Sequence, residues 1–208
     1  MNSVNCEAAP EYIADFAGDN LGKLRLFADA LVAQGTELGL IGPFELPRLW
    51  TRHIVNSGLL APLLRPQASV VDIGTGGGFP GIVLAIMRPD VTIKMIEPME
   101  RRCTWLHGQI ANLELSNAQV MRGRAEEYHG AVEVDQVTAR AVTALRKLIP
   151  ITAPLLKPGG EMLFLKGESV EAEIEAALKV IRKYKITNYR VAVLGADFTE
   201  PTRVFIAG

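Results

Sequence analysis

Three glycines at alternate positions, Gly74, Gly76 and Gly78, follow an apolar run that carries one acid, Ser69-Val70-Val71-Asp72-Ile73, and a helical pattern resumes after Phe79-Pro80-Gly81. Side chains of one hydrogen at those positions let the backbone turn sharply and come close to a ligand, so the stretch reads as a strand, a tight loop and a helix start. The next apolar alternation, 91–96, ends at Glu97, an acid placed to accept hydrogen bonds from ribose hydroxyls. Together they point to a small cofactor of nucleoside type lying across the loop. The plainer alternatives are a tight turn at the glycines and a solvated carboxylate ahead of Pro98.

A dinucleotide fingerprint needs glycine where Phe79 stands, so a pyrophosphate ligand fails in this register. Gly-x-Gly-x-Gly preceded by Asp72 is instead the pattern of S-adenosylmethionine-dependent methyltransferases. That ligand has no phosphates and carries an ammonium, which Asp72 is placed to hold directly or through water. Ala125 and Glu126, after the third strand, are expected to flank the adenine, with an ordinary loop acid as the equal alternative from spacing alone. The competing classes are a methyltransferase acting on another RNA, a protein or a small molecule, a nicotinamide-dependent oxidoreductase, and a noncatalytic RNA-binding module.

The elements that must position these residues follow from periodicity. Helices are predicted over 9–17, 21–38 and 45–60, interrupted at 39–43, and would form an N-terminal helical extension, 1–66. From 67 to 208 strands and helices alternate: strand 69–73, helix 80–88, strand 91–96, helix 99–113, strands 117–122 and 134–139, helix 143–156, strand 161–166 and helix 170–184. Such alternation implies an α/β, mainly parallel, Rossmann-like sheet. Two last strands, 186–194 and 202–207, are joined by a short loop that suits antiparallel pairing. A seven-stranded sheet with an antiparallel last strand is the class I methyltransferase arrangement. Leu156-Lys157-Pro158-Gly159-Gly160 reads as a turn feeding the fifth strand.

In 208 residues, 22 Lys and Arg nearly balance 23 Asp and Glu, which excludes a uniformly basic nucleic-acid protein and leaves any acidic partner to a local patch. Ligands of open α/β sheets sit beyond the carboxyl ends of the strands, and there stand Arg122, Arg124, Arg140 and Lys166, with Arg101 and Arg102 opening a helix. A cationic rim for phosphates is the expectation, with a solvated surface charge as the alternative for each residue. His53, near Trp50 and Ile54, reads as a packing or hydrogen-bonding residue that closes the extension over the cofactor or touches RNA. His107 and His129 read as surface residues, no metal is predicted, and Cys6 and Cys103 read as free thiols. With no targeting or membrane-spanning segment visible, the expectation is a cytoplasmic protein, and, with no apolar stripe left over, a monomer.

With these residues in view, the chain resembles the bacterial ribosomal RNA small subunit methyltransferase G family over nearly its whole length. The resemblance is carried by 49–57 (Leu-Trp-Thr-Arg-His-Ile-Val-Asn-Ser), 71–81, 138–142 (Thr-Ala-Arg-Ala-Val) and 164–167. It implies methyl transfer from S-adenosylmethionine to N7 of one guanine in the 530 loop of 16S ribosomal RNA, within the 30S subunit. It also implies cofactor contacts at Gly74, Phe79, Ala125, Glu126 and Arg140. Two departures from the family's usual pattern stand out: Asn56 where many members have Asp, and Glu97-Pro98 where many have Asp-Ser. Guanine N7 already presents an in-plane lone pair, so no catalytic base is required, and His53, Arg122, Arg124, Arg140 and Lys166 are read as substrate contacts rather than proton carriers.

Overall fold

The computed structural model describes residues 6–42 and 44–208; residues 1–5 of the extension and Pro43 of the predicted break lie outside them. The extension starts with α1 (Ile13–Ala17) and α2 (Leu21–Gln34). The first begins later than the periodicity predicts, after Pro10. The second ends four residues early because the chain folds back at Gly35, where a Cβ would meet the Leu31 carbonyl oxygen at 2.4 Å and Ile41 at 2.7 Å. The single helix predicted over 45–60 is instead three pieces: a 3₁₀ turn, Leu46–Arg48, with Pro47 in its first turn, a π-helical stretch, Leu49–Val55, and the short α3 (Asn56–Gly58).

The rest is a seven-stranded sheet with helices on both faces. In chain order come β1 (Ser69–Ile73), α4 (Gly81–Met87), β2 (Thr92–Glu97), α5 (Glu100–Asn112), β3 (Ala118–Arg122), β4 (Val134–Arg140), α6 (Leu145–Thr152), β5 (Leu156–Lys166), α7 (Val170–Lys183), β6 (Tyr189–Leu194) and β7 (Thr202–Ala207). Their spatial order is β3-β2-β1-β4-β5-β7-β6. β1 to β5 pair in parallel, and β7 runs antiparallel to both β5 and β6. The class I fold read from the sequence is therefore present, with the last strand inserted beside the fifth. The Leu156–Gly160 turn lies inside β5: Leu156 pairs with Val134 and Glu161 with Gln136, so the intervening glycines form a detour within one strand.

Alternation divides the sheet residues between two cores. Val70, Ile93, Met95 and Leu163 face one side and join Leu24, Phe27, Leu31 and Ile54 of the extension. Val71, Ile96, Val137 and Phe164 face the other, under α6 and α7. The extension therefore shares a core with the sheet, and Phe27 packs on Phe79 with ring centroids 5.5 Å apart. That contact ties α2 to the glycine loop. The β1–β4 neighbourhood, where the strand order reverses, puts the carboxyl ends of β1 and β4 side by side and opens the crevice in which such sheets bind ligands.

Candidate cofactor and substrate site

The loop after β1 rests on two carboxylates. Asp72, with no exposed surface, accepts the Gly81 N–H at 2.9 Å and the Thr138 hydroxyl at 3.2 Å. Burial pushes its carboxyl up to about 7, against the pull of those bonds and of Arg140. A Cβ at Gly81 would lie 2.8 Å from that carboxylate and 2.6 Å from Met95, so only glycine lets the α4 backbone come this close. Glu97, 2% exposed, accepts the Gly76 N–H and the Met99 N–H, each at 3.0 Å. Asp72 thus lies beneath the loop as an acceptor for the protein's own groups, with no exposed surface for the direct one of the two routes, direct or through water, expected of it toward an ammonium. Gly76 has φ +58, and beyond Gly74 O at 3.8 Å nothing approaches its missing Cβ, so the loop backbone is open on that side. Gly78 closes the loop with its N–H on the Thr75 carbonyl.

On the β4 side, Val142 covers Gly74: its Cγ2 is 3.0 Å from where a Cβ would stand. Arg140 lies over the Phe79 ring, 5.1 Å from the centroid, and donates to the Arg52 carbonyl at 3.0 Å and to His53 Nδ1 at 2.6 Å. His53 Nε2 meets Glu45 Oε2 at 2.9 Å, which also pairs with Arg52 at 3.2 Å. Ala125 is buried at the start of the turn after β3, and Glu126 beside it is exposed.

A cavity of about 900 Å³ opens beyond β4, β5 and β7, lined among others by His53, Asn56, Arg140, Lys166, Thr202 and Arg203. Asn56 donates to the Thr202 hydroxyl, so its amide ties the extension to β7. Glu45, Glu168, Glu173 and Glu200 also line the cavity, balancing Arg52, Arg140, Lys166 and Arg203. The wall is therefore mixed in charge and not the cationic rim expected. Lys166 is spoken for: its ammonium donates to Glu173 and to the Thr143 carbonyl, each at 2.8 Å. Arg122 pairs with Glu100 at 3.0 Å. Arg101 and Arg102 both lie against Gly39 of the extension, Arg102 donating to its carbonyl. Arg124 is exposed.

Sequence reasoning missed Arg203, which lines the cavity beside Lys166 and has no ion pair with any described carboxylate. It also missed Glu45. Neither carries a motif; both reach the site only because the two ends of the chain meet there. His107 is exposed as expected, whereas His129 is half-buried with a ring nitrogen 2.8 Å from the Ile151 carbonyl. Both cysteines are free thiols, and among the described residues no cluster has the makings of a metal site.

A glycine loop beside the switch point and a polar cavity beyond β4, β5 and β7 leave the choice of reaction open, and comparison with known proteins narrows it. The family model for rRNA small subunit methyltransferase G matches residues 20–201. The chain belongs to this family. A ribosomal RNA small subunit methyltransferase G from Leifsonia xyli is 53% identical over 202 residues, covering 97% of this chain and 96% of that protein. The one from Clavibacter michiganensis is 54% identical over 199 residues, covering 95% and 94%. As a member of the family the chain is a methyltransferase. Among solved structures, Aeropyrum pernix fibrillarin with bound S-adenosyl-L-methionine aligns with a TM-score of 0.57 at 17% identity, covering 76% of this chain and 75% of that one. The Thermotoga maritima SAM-dependent O-methyltransferase aligns at 0.58 and 16%, covering 73% and 63%. These two share its fold.

Proposed function

We propose that this chain transfers a methyl group from S-adenosylmethionine to N7 of a guanine in the 530 loop of 16S ribosomal RNA. It does so as a monomer on the 30S subunit in the cytoplasm. The observation that carries the reading is the junction at Val142 and Arg140, where the glycine loop and the cavity meet, so that a cofactor on one and a base in the other would touch.

The residues fit the cofactor. The Glu97 carboxylate under the loop disfavours a pyrophosphate and favours a ligand bearing positive charge. The open face of Gly76 admits close backbone approach, and the buried Ala125 with the exposed Glu126 gives an apolar contact and an acceptor for adenine. Gly74, Phe79 and Glu97 complete the set that would hold it. When bound, S-adenosylmethionine supplies a methyl group on a positively charged sulfur, ready for in-line displacement.

The chain's own task is placement. Guanine N7 attacks through a lone pair it already has, so no side chain need take a proton. His53, with Arg140 on one ring nitrogen and Glu45 on the other, is not free to act as a base. Burial chiefly, with the Arg140 and Arg52 charges, lowers its pKa to about 4 despite Glu45. Aligning donor and acceptor while excluding water accounts for catalysis of this kind. Arg124 and Arg203 are the cations best placed to meet RNA phosphates, and the neutralised Lys166 serves the cavity wall.

The substrate class is tested by offering methyl-labelled S-adenosylmethionine with 30S subunits lacking the modification, 50S subunits, a small-molecule panel and free guanosine. Label in the small-subunit RNA alone is the expected result. Label in a small molecule but not in the RNA would put the chain in the alternative class.

A further inference from the structure

We propose that His53 is a positioning residue for the transfer: its Nδ1 lone pair fixes the Arg140 guanidinium against Phe79, and Glu45, accepting the Nε2 proton, holds the ring in the orientation that presents that lone pair. The hydrogen-bond chain allows one assignment of protons. Arg140 has only donors, so the 2.6 Å contact with His53 Nδ1 requires a lone pair there. The ring proton must then sit on Nε2, facing Glu45 Oε2 at 2.9 Å. The charged groups facing the ring are Glu45, Arg52 and Arg140, and burial among them keeps the imidazole neutral.

Without the Glu45 acceptor Arg140 would still ask for a lone pair on Nδ1, but the buried Nε2 proton would have no partner and the ring would be free to turn away from the guanidinium. The guanidinium would then lose one of its two anchors, keeping only the Arg52 carbonyl at 3.0 Å. What it positions matters because Arg140 lines the cavity while lying over Phe79, the residue after the last loop glycine. Among the described residues it is the one cation that borders both compartments. His53 sits on the π-helical stretch Leu49–Val55. Such wider turns are weak in themselves and recur where a side chain must be aimed. Here the turn brings Arg52 and His53, consecutive residues, to one guanidinium.

The test has two arms, and only the kinetic one rests on the methyltransferase reading. Nitrogen NMR of the full chain, with its three histidines assigned by loss of one signal in His53→Asn, should show His53 neutral with the proton on Nε2 from pH 8 down to pH 5. Glu45→Gln, whose amide oxygen still accepts, should keep that single ring state, and Glu45→Leu, which strands the Nε2 proton, should replace it with a mixture of ring states. An Nδ1-protonated or doubly protonated ring in the wild type at pH 7 overturns the proposal whatever the enzyme does. In methyl transfer, His53→Leu should lower kcat/KM at least about tenfold, the loss expected from one hydrogen bond to a charged group. His53→Asn, whose amide oxygen stands near the Nδ1 position, should restore it to within about threefold. Should His53→Leu fail to fold, Asn against Gln decides, since the longer amide places its oxygen near Nε2 and misses Arg140. Equal activity of Leu and Asn, or of Gln and Asn, refutes the positioning role. An inactive wild type with the expected spectrum would instead sink the methyltransferase reading and leave the tautomer chain standing.

Discussion

Asp72 is an acid that the fold keeps away from water at the head of a ligand loop, and its ionisation has a cost that stability measurements can read. Its pKa rises from the ordinary 3.8 to about 7 through burial. Between those values the unfolded chain has released a proton that the folded chain retains. Its contribution to stability is therefore full below pH 4 and lost as pH rises through 7. Asn at this position can turn its oxygen to the Gly81 N–H and its amide to Thr138, and it does not titrate. Stability of Asp72→Asn relative to wild type should thus climb between pH 5 and 7, by up to about 1.4 kcal/mol per pH unit. The opposite drift from His53, whose pKa is lowered, is common to both proteins and cancels. Urea midpoints across that range check it, and a gap independent of pH would contradict it. The acid's presence was legible from Val-Asp-Ile-Gly; its burial was not, because that depends on Gly81 and Thr138 folding over it.

At the scale of elements, strands β1, β2, β4 and the second half of β5 were legible because they are largely buried and read as short apolar runs, and the half-exposed edge strand β3 from its place between a helix and the next strand. The antiparallel β6–β7 pair was legible from its short loop. That β7 inserts between β5 and β6 is a long-range fact no local pattern holds, and it sets Arg203 opposite Lys166. The two cations then have different fates: Lys166 is held by Glu173 with its side chain 9% exposed, and Arg203 faces the cavity. If Arg203 meets a phosphate, Arg203→Ala should reduce the slope of log affinity for ribosomal RNA against log salt by about 0.7–0.9. Replacing Lys166 and Glu173 together by Met and Gln should leave the slope unchanged. The reverse pattern in salt titrations would return Lys166 to the rim and remove Arg203 from it. The helix predicted over 45–60 failed for a related reason. Its apolar spacing is helical, and only contacts with Arg140 and β7 explain why it widens and breaks.

At the scale of the molecule, the site is assembled from both ends of the chain. Glu45, His53 and Asn56 come from the extension, and Thr202 and Arg203 from the last strand. Tyr12 donates to the Thr199 hydroxyl and packs edge-on against Phe198, and Arg48 pairs with Glu200, so the loop before β7 is pinned to the extension. The glycine loop together with Asp72 and Glu97 pointed to the cofactor, whereas the cavity needed the tertiary fold. If the loop holds the methyl donor and the cavity one guanine, transfer falls on N7. The most direct test is to react unmodified 30S subunits with S-adenosylmethionine and map strand scission specific to N7-methylguanine, with wild type and Gly76→Asp compared. Gly76 has φ +58, which Asp tolerates better than most residues, and its Cβ would enter open space, so the variant should fold with the ligand's approach blocked. The account predicts one scission, in the 530 loop, present with wild type and absent with the variant. Methyl incorporation at another atom or another guanine, or undiminished scission with Gly76→Asp, would contradict it.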